Sequence, residues 1–156
     1  MNSEFMLKAI EEAHSGAGAG DGGPFGAVVV KDGQVIAAAH NAVLGENDPT
    51  QHAEIRAISA ASKKLATYDL SGCDIYSTTE PCPMCFAAVH WARIDRLFYG
   101  TDIEDVKKLG FNELVLPVSR IKELGRSSVE IHEGLMREEC EKLLEFWEGL
   151  PDKRVY

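Results

Sequence analysis

Two short polar clusters constrain this chain more than any other feature. His52-Ala53-Glu54 opens one helical pattern, and Pro81-Cys82-Pro83-Met84-Cys85 opens the next. Cys82 and Cys85 stand three positions apart at a helix start, on one face, where the helix dipole favours thiolates. Taken alone, that spacing suits a redox pair as well as a metal site. The His-x-Glu at the head of the preceding helix shifts the balance towards a metal. Cys82, Cys85 and His52 supply two thiolates and one imidazole, one donor short of the four that close a structural zinc site. No further Cys-x-x-Cys or His-x-x-x-His completes the set. The expectation is an open and therefore catalytic Zn2+ site, one per chain. Two helix starts must then meet at one point.

Glu54 supplies the chemistry that three ligands lack. Zinc lowers the pKa of a bound water to about 7, but a hydrolytic step also needs a carrier that takes the water's proton and delivers it to the leaving group. A helix separates residues i and i+2 by about 200°. His52 and Glu54 can therefore face one metal only if His52 sits at the irregular first turn. Singly, His52 reads as an ordinary polar residue and Glu54 as a first-turn carboxylate; the combination carries the reading. His14, His40, His90 and His132 lack such company and read as solvent-facing or packing residues. Cys73 and Cys140 fall in core-like settings and read as small buried hydrophobes.

The rest of the chain alternates strands and helices. Phe5, Met6, Ala9, Ile10 and Ala13 recur at helical spacing and lead into the glycine-rich Ser15–Gly23. Phe25–Val30 and Val35–Ala39 flank Lys31-Asp32-Gly33-Gln34, a β-hairpin signal. A helix is expected from about His52 to Leu65 with Ile55, Ile58 and Leu65 on its buried side, then a strand over Asp74–Thr78 and a helix from Pro83 to about Ala92. A strand at Leu97–Tyr99, another at Val129–His132 and a helix from about Leu135 to Trp147 complete the pattern. Such alternation predicts an α/β sheet covered on both faces, in one domain spanning residues 1–156. The Gly18-x-Gly20-x-x-Gly23 match follows a helix and precedes a strand, the reverse of a dinucleotide fingerprint, and reads as a flexible or tight loop. At 156 residues, 26% charged and with a net charge of −9, the chain suits a small-molecule partner better than a phosphate backbone. Its apolar runs are too short to span a bilayer and its start lacks a signal-peptide pattern, so no membrane partner and a cytoplasmic location are expected.

With both motifs placed, the sequence resembles the cytidine deaminase superfamily, whose signature joins H-x-E to P-C-x-x-C, and within it the bacterial guanine deaminases and related guanosine deaminases. The resemblance runs through "DGGPFGAVVVKDG", "HNAV", "NDPTQHAEI", "TTEPCPMC", "HWARIDRLFYG" and "GFNE". It implies a three-layer α/β/α sandwich around a mixed five-stranded sheet, and deamination of guanine at C2 to xanthine and ammonia with Glu54 as proton shuttle. It also implies that Phe25 stacks on the base, Asn41 hydrogen-bonds it, Ala53 offers its backbone N–H and Trp91 lies along the pocket. By the same similarity Glu113 and the terminal Tyr156 help recognise the purine, in a homodimer that exchanges C-terminal segments.

Other readings use the same residues. Guanosine would need room for a ribose at N9. A transfer-RNA adenosine deaminase shares "DPT", "HAE" and the Pro-Cys-x-Met-Cys run, but needs a basic surface that this acidic chain lacks. A non-catalytic zinc or redox protein would have no use for Glu54.

Overall fold

The computed structural model describes residues 2–156. Helix α1, Ser3–Ala19, starts where the Asn2 side chain accepts the Glu4 N–H, as an N-cap residue does. It continues through Gly16 and Gly18, further than its glycines suggest. A Cβ on Gly16 would lie 2.4 Å from the His40 ring, so packing against the next hairpin outweighs the poor helix propensity of glycine. Strands β1, Gly26–Lys31, and β2, Gln34–His40, form that hairpin. Its two turn residues, Asp32 and Gly33, both have positive φ, 50° and 74°, the backbone twist that hairpin strands favour.

Helix α2 covers Ala53–Leu65, strand β3 Cys73–Thr79, helix α3 Pro83–Trp91 and strand β4 Arg96–Thr101. Two short helices then follow that the sequence pattern did not reveal, α4 at Ile103–Lys107 and α5 at Val118–Gly125. Strand β5, Glu130–His132, and helix α6, Arg137–Glu148, complete the chain.

The sheet has five strands in the order β2-β1-β3-β4-β5. β1 pairs antiparallel with β2 and β3, whereas β3–β4 and β4–β5 are parallel. The expected mixed sheet is therefore present. Alternate residues of each central strand face opposite layers. Val28, Val30, Tyr76 and Phe98 pack with Met6, Ala9 and Ile10 of α1 and Cys140 of α6. Ala27, Val29, Ile75 and Leu97 pack with Ala53, Ala57 and Ala61 of α2, Phe86 and Val89 of α3, and Val118 of α5. These are the three layers of an α/β/α sandwich.

One expectation about α2 is corrected. Ala53, Ala57 and Ala61 are fully buried, while Ile55, Ile58 and Leu65 are only partly so. Small side chains let this helix approach the sheet closely, and the larger ones flank the contact. Among the described residues, no helix is long and apolar enough to cross a membrane.

Candidate active site

The C-terminal ends of β3 and β4 meet the first turns of α2 and α3. His52 immediately precedes α2 with φ −68° and ψ 153°, an extended conformation, so its side chain does not share the helix phase of Glu54. The irregular first turn demanded by the His-x-Glu spacing is thus present. Cys82 precedes α3 in the same way, with φ −63° and ψ 167°, and Pro83 occupies the first helical position, where a missing N–H costs nothing. Cys85 lies on the buried side of that first turn.

These three side chains converge. The Nδ1 of His52 is 3.6 Å from the Cys82 sulfur and 3.5 Å from the Cys85 sulfur, and the three donor atoms lie within 4.8 Å of one another. A tetrahedral zinc bonded at about 2.0–2.1 Å to nitrogen and about 2.3 Å to sulfur would set those atoms roughly 3.6 Å apart. His52, Cys82 and Cys85 are therefore positioned to bind the metal, and the positive N-terminal end of α3, which starts beside Cys82, favours the thiolates.

Without metal, the protons in this cluster are unevenly held. The hydrogen bond with Cys85 is the main reason the Cys82 thiol is held down to about 4, against the opposing effect of burial. The same bond, with burial, pushes Cys85 well above the usual thiol range. Burial opposes a charged His52, yet its bond to Cys82 and the nearby Glu54 carboxylate raise it overall.

Glu54 is 4% exposed, and its Oε1 accepts a hydrogen bond from the Ser77 hydroxyl at 3.1 Å. Burial raises its pKa, the direction suited to a group that both takes and gives a proton near neutral pH. Together with His52, Glu54 and Cys82, the residues Phe25, Asn41, Thr79, Glu80, Phe111, Asn112, Glu113 and Tyr156 line a partly open cavity of about 90 Å³.

Asn41 follows β2, is 1% exposed, and accepts at Oδ1 from Val43 N–H at 3.1 Å and from the Tyr156 hydroxyl at 2.7 Å. A Cβ on Gly22 would come within 2.0 Å of that Oδ1. The Asp-Gly-Gly stretch is thus a close-packed wall behind Asn41 and not a loose loop. Phe25 meets Phe111 edge-on at 5.3 Å, and Phe111 in turn contacts Trp147 at 4.9 Å and Tyr156 at 5.1 Å. Tyr156 is anchored twice more: Gly23 N–H donates to its hydroxyl at 3.1 Å, and Asn112 N–H donates to its carbonyl at 2.9 Å. Burial, with the charge on Cys82, lifts Glu113 to about 7. Ala53 is the first residue of α2, fully buried, at a helix position whose N–H has no partner within the helix.

Trp91 is elsewhere, which corrects its expected place along the pocket. It ends α3 and is 81% exposed, about 12 Å along the helix from Pro83 at 1.5 Å per residue. It borders a wider, open cleft of about 940 Å³ with Tyr68, Arg93 and Arg96. That cleft lies at the starting ends of β3 and β4, away from the ligand cluster, so its size does not make it the chemical centre.

Sequence reasoning missed Ser77, Thr79, Glu80, Phe111 and Asn112. Strand parity could have found the first two, because Cys73, Ile75, Ser77 and Thr79 share one face that passes from core to site. Glu80 was visible beside Pro81-Cys82. Phe111 and Asn112 lie in the "GFNE" run that carries part of the resemblance, but that segment has no regular period from which their place in the site could be read.

Residues 1–101 match the model of the cytidine and deoxycytidylate deaminase zinc-binding region. The chain is 38% identical to the guanine deaminase of Bacillus subtilis over 100% of both chains. It is 50% identical to a tRNA-specific adenosine deaminase of Agrobacterium fabrum, over 63% of this chain and 64% of that one. Among solved structures, a guanine deaminase from Nitrosomonas europaea superposes with a TM-score of 0.88 at 32% identity, covering 96% of this chain and 86% of the other.

Proposed function

The chain belongs to the cytidine and deoxycytidylate deaminase zinc-binding family, and within that family we propose that it hydrolyses guanine to xanthine and ammonia. One observation carries the choice of substrate. The protein's own Tyr156 reaches Asn41 and closes the site to a cavity of about 90 Å³, a scale suited to a free base and not to a nucleotide held in a folded RNA. The full-length similarity to a guanine deaminase supports the same reading.

When bound, zinc supplies a Lewis acid that brings a water's pKa towards 7. The protein's residues perform the remaining steps. Phe25 offers an aromatic surface to the purine face, while Asn41 and the Ala53 N–H fix the base by hydrogen bonds. Ser77 holds one oxygen of Glu54, leaving the other to accept the proton of the attacking water. Glu54 passes that proton to N3 as the bond to C2 forms, then takes the remaining proton of the new C2 hydroxyl and delivers it to the exocyclic amine as the C2–N bond breaks and the C2 carbonyl forms. Glu113 and Tyr156 bound the purine opposite the metal and exclude bulk water. We assign this work to one domain comprising the whole chain.

We further propose that the protein is a cytoplasmic homodimer. Support comes from the resemblance and from Met84, Trp91 and Leu124, large apolar side chains left exposed on the α3 and α5 face, which a second copy would cover. Exchange of C-terminal segments would replace the Tyr156–Asn41 contact within one chain by the same contact between two.

The direct test is ammonia release by the zinc-loaded protein with guanine and guanosine supplied separately. Xanthine from guanine is the expected product. Turnover of guanosine alone would replace the substrate assignment and retain the zinc chemistry.

A further inference from the structure

We infer that Glu80 is a positioning residue that holds the substrate-side wall of the site in register with the zinc-binding motif. It is 6% exposed, and both of its carboxylate oxygens accept from backbone. Oε2 takes the Ile103 N–H at 3.0 Å and Oε1 takes the Val118 N–H at 2.8 Å. Ile103 and Val118 are the first residues of α4 and α5. Their N–H groups have no partner inside their own helices, and both helix starts carry partial positive charge. A buried carboxylate is stable in such a place because two charge-assisted bonds replace its water.

The consequence lies in what the two helices bracket. Residues 108–117 form neither helix nor strand, and that stretch carries Phe111, Asn112 and Glu113 into the cavity. Besides the contacts of Phe111 and Asn112 with Tyr156, its course depends on where α4 and α5 place its ends. From a fixed point Glu80 holds the far end directly, at Val118, and the near end through the short helix α4, whose first residue it bonds: its own N–H donates to the Thr101 carbonyl at 2.8 Å, and Cys82 follows two residues later. One side chain thus ties the strand that delivers a zinc ligand to the loop that bounds the substrate. Through that loop it also reaches Tyr156, whose carbonyl is held by Asn112 N–H. Glu80 has no proton-transfer duty in this arrangement; it acts through Glu113 and its neighbours. The inference rests on the proposal that this loop faces the purine.

Glu80→Gln tests it, because glutamine keeps the size but turns one acceptor oxygen into an amide NH2 donor facing a backbone N–H donor. In the zinc-loaded variant, the KM for guanine should rise about tenfold while kcat changes less than about threefold. Zinc content should stay at the wild-type value, and amide exchange at Ile103 or Val118 should accelerate. Combined with Glu113→Ala, the losses should be non-additive, as expected of residues acting through one element. Unchanged KM, undiminished protection of both amides, or fully additive losses would each overturn the inference, as would loss of zinc with KM unaltered. Failure of the substrate reading looks different: Glu113→Ala would then leave guanine kinetics untouched, and the two amides alone would decide whether Glu80 grips the loop.

Discussion

The hydroxyl of Tyr156, the last residue of the chain, donates a hydrogen bond to Asn41 Oδ1 across 2.7 Å. The two residues lie 115 positions apart in sequence, and their contact closes the cavity over the metal ligands. Tyr156→Ala should therefore lower kcat/KM for guanine by roughly tenfold or more, the cost of a buried hydrogen bond and an aromatic contact together. The opened site should also admit guanosine, so the ratio of guanine to guanosine turnover should fall. Ammonia release with each substrate measures both effects.

Glu54 is the cavity carboxyl that stands two residues from the ligand His52 and is held by the Ser77 hydroxyl. Glu54→Gln should reduce turnover by about 10²–10⁴-fold with zinc stoichiometry unchanged. The metal-free variant should also unfold at a higher temperature than metal-free wild type at neutral pH. Burial raises the Glu54 pKa in the folded state, so its ionisation opposes folding as pH rises. A calorimetric scan of both proteins after chelation tests the sign, and a less stable variant would contradict it.

Zinc binding should release protons. In the metal-free cluster the hydrogen bond from Cys85 holds the Cys82 thiol down to about 4, whereas Cys85 is pushed well above the usual thiol range and His52 is raised. Both must lose protons to ligate. Titrations in buffers of different ionisation enthalpy should therefore report more than one proton per zinc at neutral pH, with affinity weakening as pH falls. Chelation should abolish activity and lower the melting temperature, and added zinc should restore both. Cys85→Ser should remove most of the proton release together with tight binding.

Glu113 provides a separate pH signature. Burial lifts it to about 7 from an ordinary 4.5 in the metal-free protein. A carboxyl raised on folding contributes its stability below its unfolded pKa and loses it as pH climbs through the folded one. Metal-free wild type should thus lose stability between about pH 4.5 and 7, and Glu113→Gln should flatten that part of the curve. Denaturant midpoints across the range provide the measurement.

The path of the tail can be read by mixing two impaired partners. A Glu54→Gln protein with an intact tail and a protein truncated before Tyr156 should regain activity together if tails cross between subunits, because one site of the hybrid then has both Glu54 and a tyrosine. A tail seated in its own chain's site gives no recovery. Light scattering on each protein should show a dimer.

The chemistry and much of the frame follow from a few residue types at set spacings. His, Glu and Cys at fixed spacings define which atoms can bind zinc and which can carry a proton, because ligand type and helix phase are local properties. They even required His52 to stand outside the helix that holds Glu54, and it does, at ψ 153°. Hydrophobic period likewise marked the hairpin, the central strands and the last helix. Tertiary structure alone decided what surrounds that chemistry. Trp91, only six residues beyond Cys85 in number, is carried away by the straight axis of α3. Tyr156 and Phe111, remote in sequence, are brought in by the path of the chain around β4 and α6. Glu80 gains its meaning only when Ile103 and Val118 arrive at its two oxygens. Such contacts depend on where connecting segments run, and irregular backbone has no repeat from which that course can be read.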